Sequence, residues 1–516
     1  MNEMENRQKI SEDGKVSCRH IGGIHTETGS DMILPDYMGD IKRLLSYKAS
    51  VLPIGGLGDS PAAYSGTVEY KVLYIDSEGE LTEAAFTSDY EYSAKTGEEC
   101  IGSIEKPEIT SLTVRASGPR KLSAKAILSS DVIIMCEDES SSIILPESAV
   151  LKKNTVNSAG FLALENKELE LAEEIKLEGI GAEEIDLVSS GSEFVFEDSE
   201  FSEGSVRVCG SVDAYAILRL GGSSLTRVEK SIPFEAELEC PVREGRAFPV
   251  GCISSLHINI NNDGGQNGAC TSLVFSVIAE LGANVLYTEK REIVEDGFIP
   301  NHKCENSYGR VEYLEAICAD SLAKPLSFEV ERGRECEACI TEIIAVEPTL
   351  KTTSERVEEG YLVMAGEISF LTLCGSTESH EPLAIRTSHG FEIREKLNTP
   401  ECEGAKRIIR KHVLGSKVSL DSGKLYIKCR LCLEYLFFKN REARSLMEMK
   451  NIEGCKADDS TVRIYYPENG ESLWSVAKKY GISPEELCRE NSISPDLSLG
   501  ADLCMSGVVR LAIVKN

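Results

Sequence analysis

Residues 64–74, Y-S-G-T-V-E-Y-K-V-L-Y, alternate apolar and polar side chains after a glycine. An alternation with a period of two predicts a β-strand with one buried face. Two similar stretches follow at residues 207–218 (R-V-C-G-S-V-D-A-Y-A-I-L) and 363–373 (V-M-A-G-E-I-S-F-L-T-L). Three copies of one mostly β unit explain this recurrence better than a single continuous fold.

Further landmarks recur in each copy. Aromatic residues follow the glycines at a similar distance, and a second apolar strand begins later in each copy. The glycines are Gly66, Gly210 and Gly366, the aromatics are Phe86, Phe234 and Phe391, and the second strands begin at Lys121, Ser272 and Lys424, with Leu122, Leu273 and Leu425 at matching positions. We predict a mainly β chain with three tandem sandwich-like or barrel-like units at residues 1–140, 141–300 and 301–455. Short helices are expected at residues 163–176 and 313–323. The glycine-rich stretches 55–61 and 261–268 are interpreted as turns, because no Lys-Ser/Thr pair follows them as in a phosphate loop.

Length and charge bound the function. A chain of 516 residues is too long for one hydrophobic core. Its net charge of -30, without a basic block, disfavours nucleic acid and anionic membranes as partners. The N-terminus has no apolar signal core, and no apolar run reaches the length of a membrane span. We therefore expect no membrane insertion and a protein that stays in the cytosol.

Eighteen cysteines are scattered along the chain, and reduced thiols are the expectation for a cytosolic protein. Two pairs have C-x-x-C spacing, Cys336 with Cys339 and Cys429 with Cys432. The second pair lies in an alternating run, where residues three apart point to opposite faces of a strand. No metal site is predicted, because zinc ligands must converge on one point.

No motif predicts catalysis. Only seven histidines occur, none of them in H-E-x-x-H, and there is neither a G-x-S-x-G elbow nor a P-loop. Asp36 and Asp40 could share the face of a helical turn, but a cap or a salt bridge with Arg43 is the simpler account. The chain is predicted to be no enzyme, with no catalytic residue and no cofactor.

The C-terminal region predicts two short helices. In N-G-E-S-L-W-S-V-A-K-K-Y-G (469–481), apolar residues recur at helical spacing from Leu473 to Tyr480, and Gly481 supplies a left-handed end. Ser483 can cap the second helix, with Pro484 at its first position and Glu486 completing a capping box. With strands expected at 462–466 and 500–505, residues 456–516 read as a small βααβ domain.

This pattern resembles a LysM module, on residues Gly470, Glu471, Ser472, Leu473, Trp474, Val476, Ala477, Tyr480, Gly481, Leu487 and Asn491. The resemblance implies a shallow groove, between the loop before the first helix and the loop before the second strand, that binds N-acetylated glycan. Residues 499–506 depart from the usual second loop. Trp474 is open to two interpretations, a partner contact or part of a small core. The candidate binding residues are Tyr466, Glu468, Asn469, Gly470, Glu471, Ser472, Trp474, Asn491, Leu499 and Gly500.

Near the start, residues 34–44 read L-P-D-Y-M-G-D-I-K-R-L and resemble the opening of the SPOCS repeat of clostridial spore proteins. SPOCS repeats followed by a LysM module are similar to the spore-coat morphogenetic proteins of that family. The resemblance implies a coat adaptor in the mother-cell cytoplasm at the forespore surface. Its partners would be a spore morphogenetic ATPase, contacted by the LysM module, and other coat proteins. The alternative is a binding protein for the N-acetylated glycan of peptidoglycan, in the cortex or cell wall.

Overall fold

The computed structural model describes most of the chain. The described residues are 7–11, 16–53, 63–93, 100–137, 142–146, 148–178, 181–221, 224–262, 270–330, 340–376, 381–421, 424–454, 462–494, 499–500, 502–506, 508 and 510–514. The predicted turn at 55–61 and the Cys336/Cys339 pair lie outside them, as does most of the turn at 261–268. Within them the chain is mainly β with two α-helices, which confirms the predicted fold class.

The first unit pairs two three-stranded antiparallel sheets. One has the strand order β2-β7-β6 and the other β3-β4-β5. The strands are β2 (Val16–Ile33), β3 (Ile41–Pro53), β4 (Ala63–Asp76), β5 (Leu81–Ser93), β6 (Cys100–Gly118) and β7 (Lys121–Glu137). A short ladder of β1 (Arg7–Ser11) with β8 (Ser142–Pro146) stands apart from both sheets.

The second unit repeats this order, with sheets β10-β15-β14 and β11-β12-β13. A further strand, β9, pairs with the far half of the long strand β15. The strands are β9 (Val150–Ala163), β10 (Lys167–Glu178), β11 (Ile185–Ser202), β12 (Ser205–Leu220), β13 (Ser224–Glu239), β14 (Arg246–Asn262) and β15 (Cys270–Phe298).

The third unit has the same order again, with sheets β16-β21-β20 and β17-β18-β19. Its strands are β16 (His302–Val330), β17 (Ile340–Glu358), β18 (Tyr361–Ser376), β19 (Leu383–Lys396), β20 (Lys406–Asp421) and β21 (Lys424–Gly454). Last come β22 (Val462–Tyr465), α1 (Leu473–Tyr480), α2 (Pro484–Asn491) and β23 (Leu511–Val514), which we call the C-terminal module. The domain limits at residues 140, 300 and 455 stay predictions.

The recurring glycine has a packing role in the middle strand of the sheets β3-β4-β5, β11-β12-β13 and β17-β18-β19, which we call the smaller sheets because their strands are shorter in total. Gly210 in β12 lies opposite Phe234, and Gly366 in β18 lies opposite Phe391. A Cβ at Gly210 would come within 2.3 Å of a backbone oxygen and 3.1 Å of the Phe234 ring. The ring therefore covers space that only glycine leaves open. In the first unit Gly66 lies opposite Tyr90, and Phe86 lies opposite Tyr70.

Both predicted helices are strands. Residues 167–178 form β10, paired along its length with β15, and residues 313–323 lie inside β16, paired with β21. The spacing of leucine and glutamate in these segments also fits alternation. Pairing with a long buried strand decides between the helical and the strand repeat. The side chains of β10 pack in one core with those of β15, and those of β16 pack in one core with those of β21.

The three smaller sheets meet at one apolar cluster. Leu73, Ile217 and Leu373 come from the middle strands β4, β12 and β18, and all three are buried there. A polar contact also joins the first two units here: Lys48 of β3 donates to the hydroxyl of Tyr215 in β12 at 2.6 Å. Burial lowers the pKa of Lys48, but the charges and hydroxyls around it outweigh that effect and raise it. The units are therefore joined by packing as well as by chain connection.

The L-P-D-Y segment is a turn held by an arginine distant in sequence. Arg120 donates to the carbonyl oxygens of Leu34, Pro35 and Met38 at 2.7–3.2 Å and to the Asp40 carboxylate at 2.8 Å. The expected salt bridge of Asp36 or Asp40 with Arg43 is wrong, since Arg43 lies 3.7 Å from Glu381. A guanidinium satisfies several carbonyls at once because it carries five donors in a plane.

Candidate functional site

The C-terminal module has the predicted order strand, helix, helix, strand, but its second strand lies elsewhere. Residues 511–514 form β23, whereas the predicted strand at 500–505 is replaced by a turn with one isolated bridge between Ser472 and Asp502. The Asp502 carboxylate accepts from the backbone N–H groups of Gly470 at 2.8 Å and Met505 at 3.1 Å. These bonds wrap the backbone around the carboxylate, so the segment cannot stay extended.

Local signals place both helices as predicted. Ser472 caps α1 by accepting from the Ser475 N–H at 3.2 Å, and the Ser475 hydroxyl accepts in return from the Ser472 N–H at 2.9 Å. Gly481 ends the helix with a φ of +66°. Ser483 caps α2 by accepting from the Glu486 N–H at 3.2 Å. The second capping box was expected to use the Glu486 side chain, and the structure shows the Ser483 half of it.

The two loops of the expected groove are bonded to each other. The Leu503 N–H donates to the Glu471 carbonyl at 2.9 Å, and the Trp474 N–H donates to the Leu499 carbonyl at 3.1 Å. Asn491 fixes the end of α2 to β23 by donating to the Ala512 carbonyl at 2.8 Å and accepting from the Ala512 N–H. The main role of Asn491 here is to hold the module together.

Glu471 is also committed inside the module. Its carboxylate accepts from the Tyr465 hydroxyl at 2.7 and 2.5 Å and from the Glu468 N–H at 2.9 Å, and Lys479 lies 3.5 Å away. The Tyr465 hydrogen bond is the main cause that holds the pKa of Glu471 below its usual range. These bonds use part of the acceptor capacity of the carboxylate within the module.

Trp474 is buried and faces the second β unit. Its side chain is 5% exposed, and its ring packs edge-on against Phe298 at 5.2 Å between centroids. The indole N–H donates to Asp296 Oδ2 at 2.9 Å, and Lys478 donates to both oxygens of that carboxylate at 2.7 Å. Of the two interpretations the sequence left open, the structure places Trp474 in the core of the module.

Asp296 is the centre of this contact. Tyr308 donates to it at 2.6 Å and the Gly297 N–H at 2.8 Å, in addition to Trp474 and Lys478. Burial by itself would raise the pKa of Asp296, but these hydrogen bonds, led by that from Lys478, outweigh burial and lower it to about 2. The ionised carboxylate therefore fastens α1 to the end of β15.

An apolar surface remains exposed on the other side of the module. Val462, Ile464 and Tyr466 alternate along β22 and just after it, and they are 59%, 60% and 62% exposed. Met505, which is 87% exposed, follows Cys504, whose thiol donates to the carbonyl of Pro467, the residue after Tyr466, at 3.2 Å. We call Val462, Ile464, Tyr466 and Met505 the outer stripe. Large apolar side chains exposed in a row are typical of interaction surfaces.

The structure separates the ten predicted binding residues by exposure. Exposed are Tyr466, Glu468, Asn469, Gly470 and Gly500; half-buried are Glu471, Ser472, Asn491 and Leu499; buried is Trp474. The bond from the Gly470 N–H to Asp502 joins the two loops, and Gly500 faces Lys152 of β9. Sequence reasoning missed Val462, Ile464 and Met505, because the alternation in β22 is apolar on the face that points outward.

Two other places were candidates for a site, the Cys429–Cys432 pair and an acidic cleft. Cys429 is buried and Cys432 half-exposed on opposite faces of β21, and burial raises the pKa of Cys429 to about 11. Among the described residues no group of three metal-ligating side chains converges.

A cleft of about 520 Å³ is lined by Asp36, Asp76, Glu78 and Asp186, among others. Arg219 also lines this cleft, where it pairs with Glu80 at 3.1 Å.

Comparison with known proteins identifies the C-terminal module. Residues 468–505 match the LysM domain family, so the chain carries a LysM domain at this position. The match covers the loop before α1, both helices and the turn that carries Met505. No curated protein and no solved structure matches the chain. No helix among the described residues is long and apolar enough to cross a membrane.

Proposed function

We propose that this protein is a non-enzymatic adaptor of spore-coat assembly, whose LysM domain docks on a coat-founding morphogenetic ATPase. It would act in the mother-cell cytoplasm at the forespore surface, with other coat proteins as further partners. The order of units is similar to that of the clostridial spore-coat morphogenetic protein SipL. The proposal rests on this resemblance and on one structural observation, the exposed outer stripe of the LysM domain.

The contacts of the LysM domain favour a protein partner. The groups that could hold a polar ligand, Glu471 and Asn491, are already hydrogen-bonded within the domain. The face with Trp474 packs against the second β unit. The side chains of the outer stripe are exposed. The contacts of Asp296 with Trp474 and Lys478 fix the orientation of the LysM domain relative to the second β unit. Burying exposed aromatic and aliphatic side chains of this size is the main source of affinity in protein interfaces.

Binding of the N-acetylated glycan of peptidoglycan is a second candidate. The LysM family match supports it, and Glu468, Asn469 and Gly470 are exposed in the loop before α1. A glycan would use these loop residues with Gly500, whereas the ATPase would use the outer stripe. The two candidates therefore predict different sensitive positions.

The test uses the full chain, since the LysM domain shares its core with Phe298 and Val150 of the second unit. Binding to the purified ATPase and to peptidoglycan is measured for the wild type and Ile464→Asp. Leu420→Asp is the matched control, since Leu420 is also exposed, at 39%, but lies in β20. We expect Ile464→Asp to weaken ATPase binding roughly tenfold or more, the effect of losing one well-buried contact. Equal ATPase binding by all three proteins, or sedimentation with peptidoglycan alone, would contradict the adaptor.

A further inference from the structure

Two cysteines of the third unit share one buried contact. Cys318 lies in β16 directly after a register irregularity between Ala316 and itself. Cys402 ends a short 3-10 turn, residues 400–402, in the connection between β19 and β20. Both belong to one cluster with Tyr435 and Phe437 of β21, in which Cys402 is 1% exposed and Cys318 half-exposed. The strand and the connection therefore bring the two thiols together from distant parts of the sequence.

Both side chains pack in the same cluster, and the 400–402 turn lies against β16. Burial is the main cause that raises the pKa of both thiols; beside it, Cys318 raises the pKa of Cys402 further, whereas Cys402 and the Asn398 backbone oppose the rise at Cys318. The connection itself is well fixed. Thr399 caps the 3-10 turn by accepting from the Glu401 N–H, and the Leu397 N–H donates to the Gly360 carbonyl at 2.9 Å. These bonds fix the connection that carries Cys402, while the pairing of β16 with β21 fixes the strand that carries Cys318.

We propose that Cys318 and Cys402 are a redox-sensitive pair, which a small-molecule disulfide such as oxidised glutathione converts to a disulfide bond. This bond would tie the connection between β19 and β20 to β16. It would lock the edge of the third unit once the protein meets an oxidising environment. The inference is independent of the proposed function, because it concerns only the third unit.

The chemistry balances in two exchanges. The Cys318 thiolate attacks one sulfur of oxidised glutathione, which breaks the glutathione disulfide and releases one glutathione thiolate. The Cys402 thiolate then attacks Sγ of Cys318 and releases the second glutathione. The two protons of the protein thiols end on the two glutathiones, which take up two electrons, and one S–S bond remains in the protein.

The environment sets the order and the rate. Burial raises the pKa of both thiols, to about 11 for Cys402, so the first exchange is slow. Hydrogen bonds from Asn398 and Cys402 oppose this effect at Cys318, which is also the more exposed thiol. Cys318 therefore reacts first, and the second exchange is favoured because both side chains pack in one cluster, which makes this step intramolecular.

The test oxidises the reduced, full-length protein with oxidised glutathione, blocks the remaining thiols after denaturation and maps the peptides by mass spectrometry. We expect a Cys318–Cys402 peptide pair to exceed any other described pair roughly tenfold, the advantage of a preformed contact. Cys429 with Cys432 is the internal control, because these thiols face opposite sides of one strand.

Two results would overturn the proposal. In the first, Cys318 keeps a stable glutathione adduct while Cys402 remains open to alkylation, which would mean that the sulfurs do not converge. In the second, both thiols stay reduced while other half-exposed cysteines react, which would mean that the pair is closed to oxidants. The variant Cys318→Ser should yield no link to Cys402. The wild-type map decides the question even if that variant folds poorly.

Discussion

The contact of Asp296 with the LysM domain leads to the prediction that tests the structure most directly. The perturbation is Asp296→Asn, which keeps the size of the side chain but removes its charge. The carboxylate is 18% exposed and accepts from Lys478, Trp474 and Tyr308. The variant leaves the Lys478 ammonium without its anion and places an amide N–H₂ among donors.

The magnitude follows from the pKa of Asp296. It falls from an ordinary 3.8 to about 2 in the folded protein. At 1.36 kcal/mol per pKa unit, ionisation of Asp296 stabilises the fold by about 2 kcal/mol at neutral pH. A depressed carboxyl pKa means that this stabilisation is complete above about pH 4 and is lost as the pH falls towards 2. We therefore expect Asp296→Asn to lose about 2 kcal/mol at pH 7 and to match the wild type near pH 2.

The assay uses the chain's only tryptophan. Trp474 is in direct contact with Asp296, so its fluorescence reports separation of the LysM domain from the second unit. Urea titrations at pH 7, and at steps between pH 5 and 2, are compared for wild type, Asp296→Asn and the control Asp186→Asn, which changes an exposed carboxylate in β11. Identical urea midpoints and emission maxima for wild type and Asp296→Asn at pH 7 would refute the reasoning.

Three further predictions concern positions with a defined packing or bonding role. Gly210→Ala should lower the free energy of unfolding by about 1–3 kcal/mol, because the added Cβ would overlap a backbone oxygen. The measurement is thermal unfolding, and the control is Gly390→Ala, whose Cβ would meet nothing nearer than 3.9 Å. Arg120→Met should cost about 1–3 kcal/mol and speed hydrogen exchange at the Met38 amide, whereas unchanged exchange would mean that the turn holds without Arg120. Asn491→Ala should cost about 1–3 kcal/mol by freeing the end of α2, and an unshifted tryptophan fluorescence transition in urea would argue against that role.

The repeat architecture was accessible from sequence because it is written in local patterns. Alternation marked β4, β12 and β18, and their glycines lie opposite aromatic rings. Phe86 lies opposite Tyr70 instead of the glycine, because the spacing between strands depends on where each hairpin turns. In the first unit the ring that covers Gly66 belongs to Tyr90.

The candidate site was only partly accessible. The helix ends at Gly481 and Ser483 were predicted because each uses bonds within a few residues, and the structure adds the cap at Ser472. Val462 and Ile464 of the outer stripe were missed because alternation shows that the two faces of β22 differ but not which face is buried. Tyr465 and Arg463 point to the helices, where Tyr465 binds Glu471 and Arg463 lies over the Tyr480 ring.

The sequence by itself determined the mainly β class, the three similar strand sets and the βααβ order of the LysM domain. Each follows from periodicity or from end signals that act over a few residues. Only the tertiary structure decided that Trp474 is buried, because its partner Asp296 lies 178 residues away. It also decided that residues 167–178 and 313–323 are strands, since the long neighbours β15 and β21 offer hydrogen bonds and a shared core that outweigh weak helical preference.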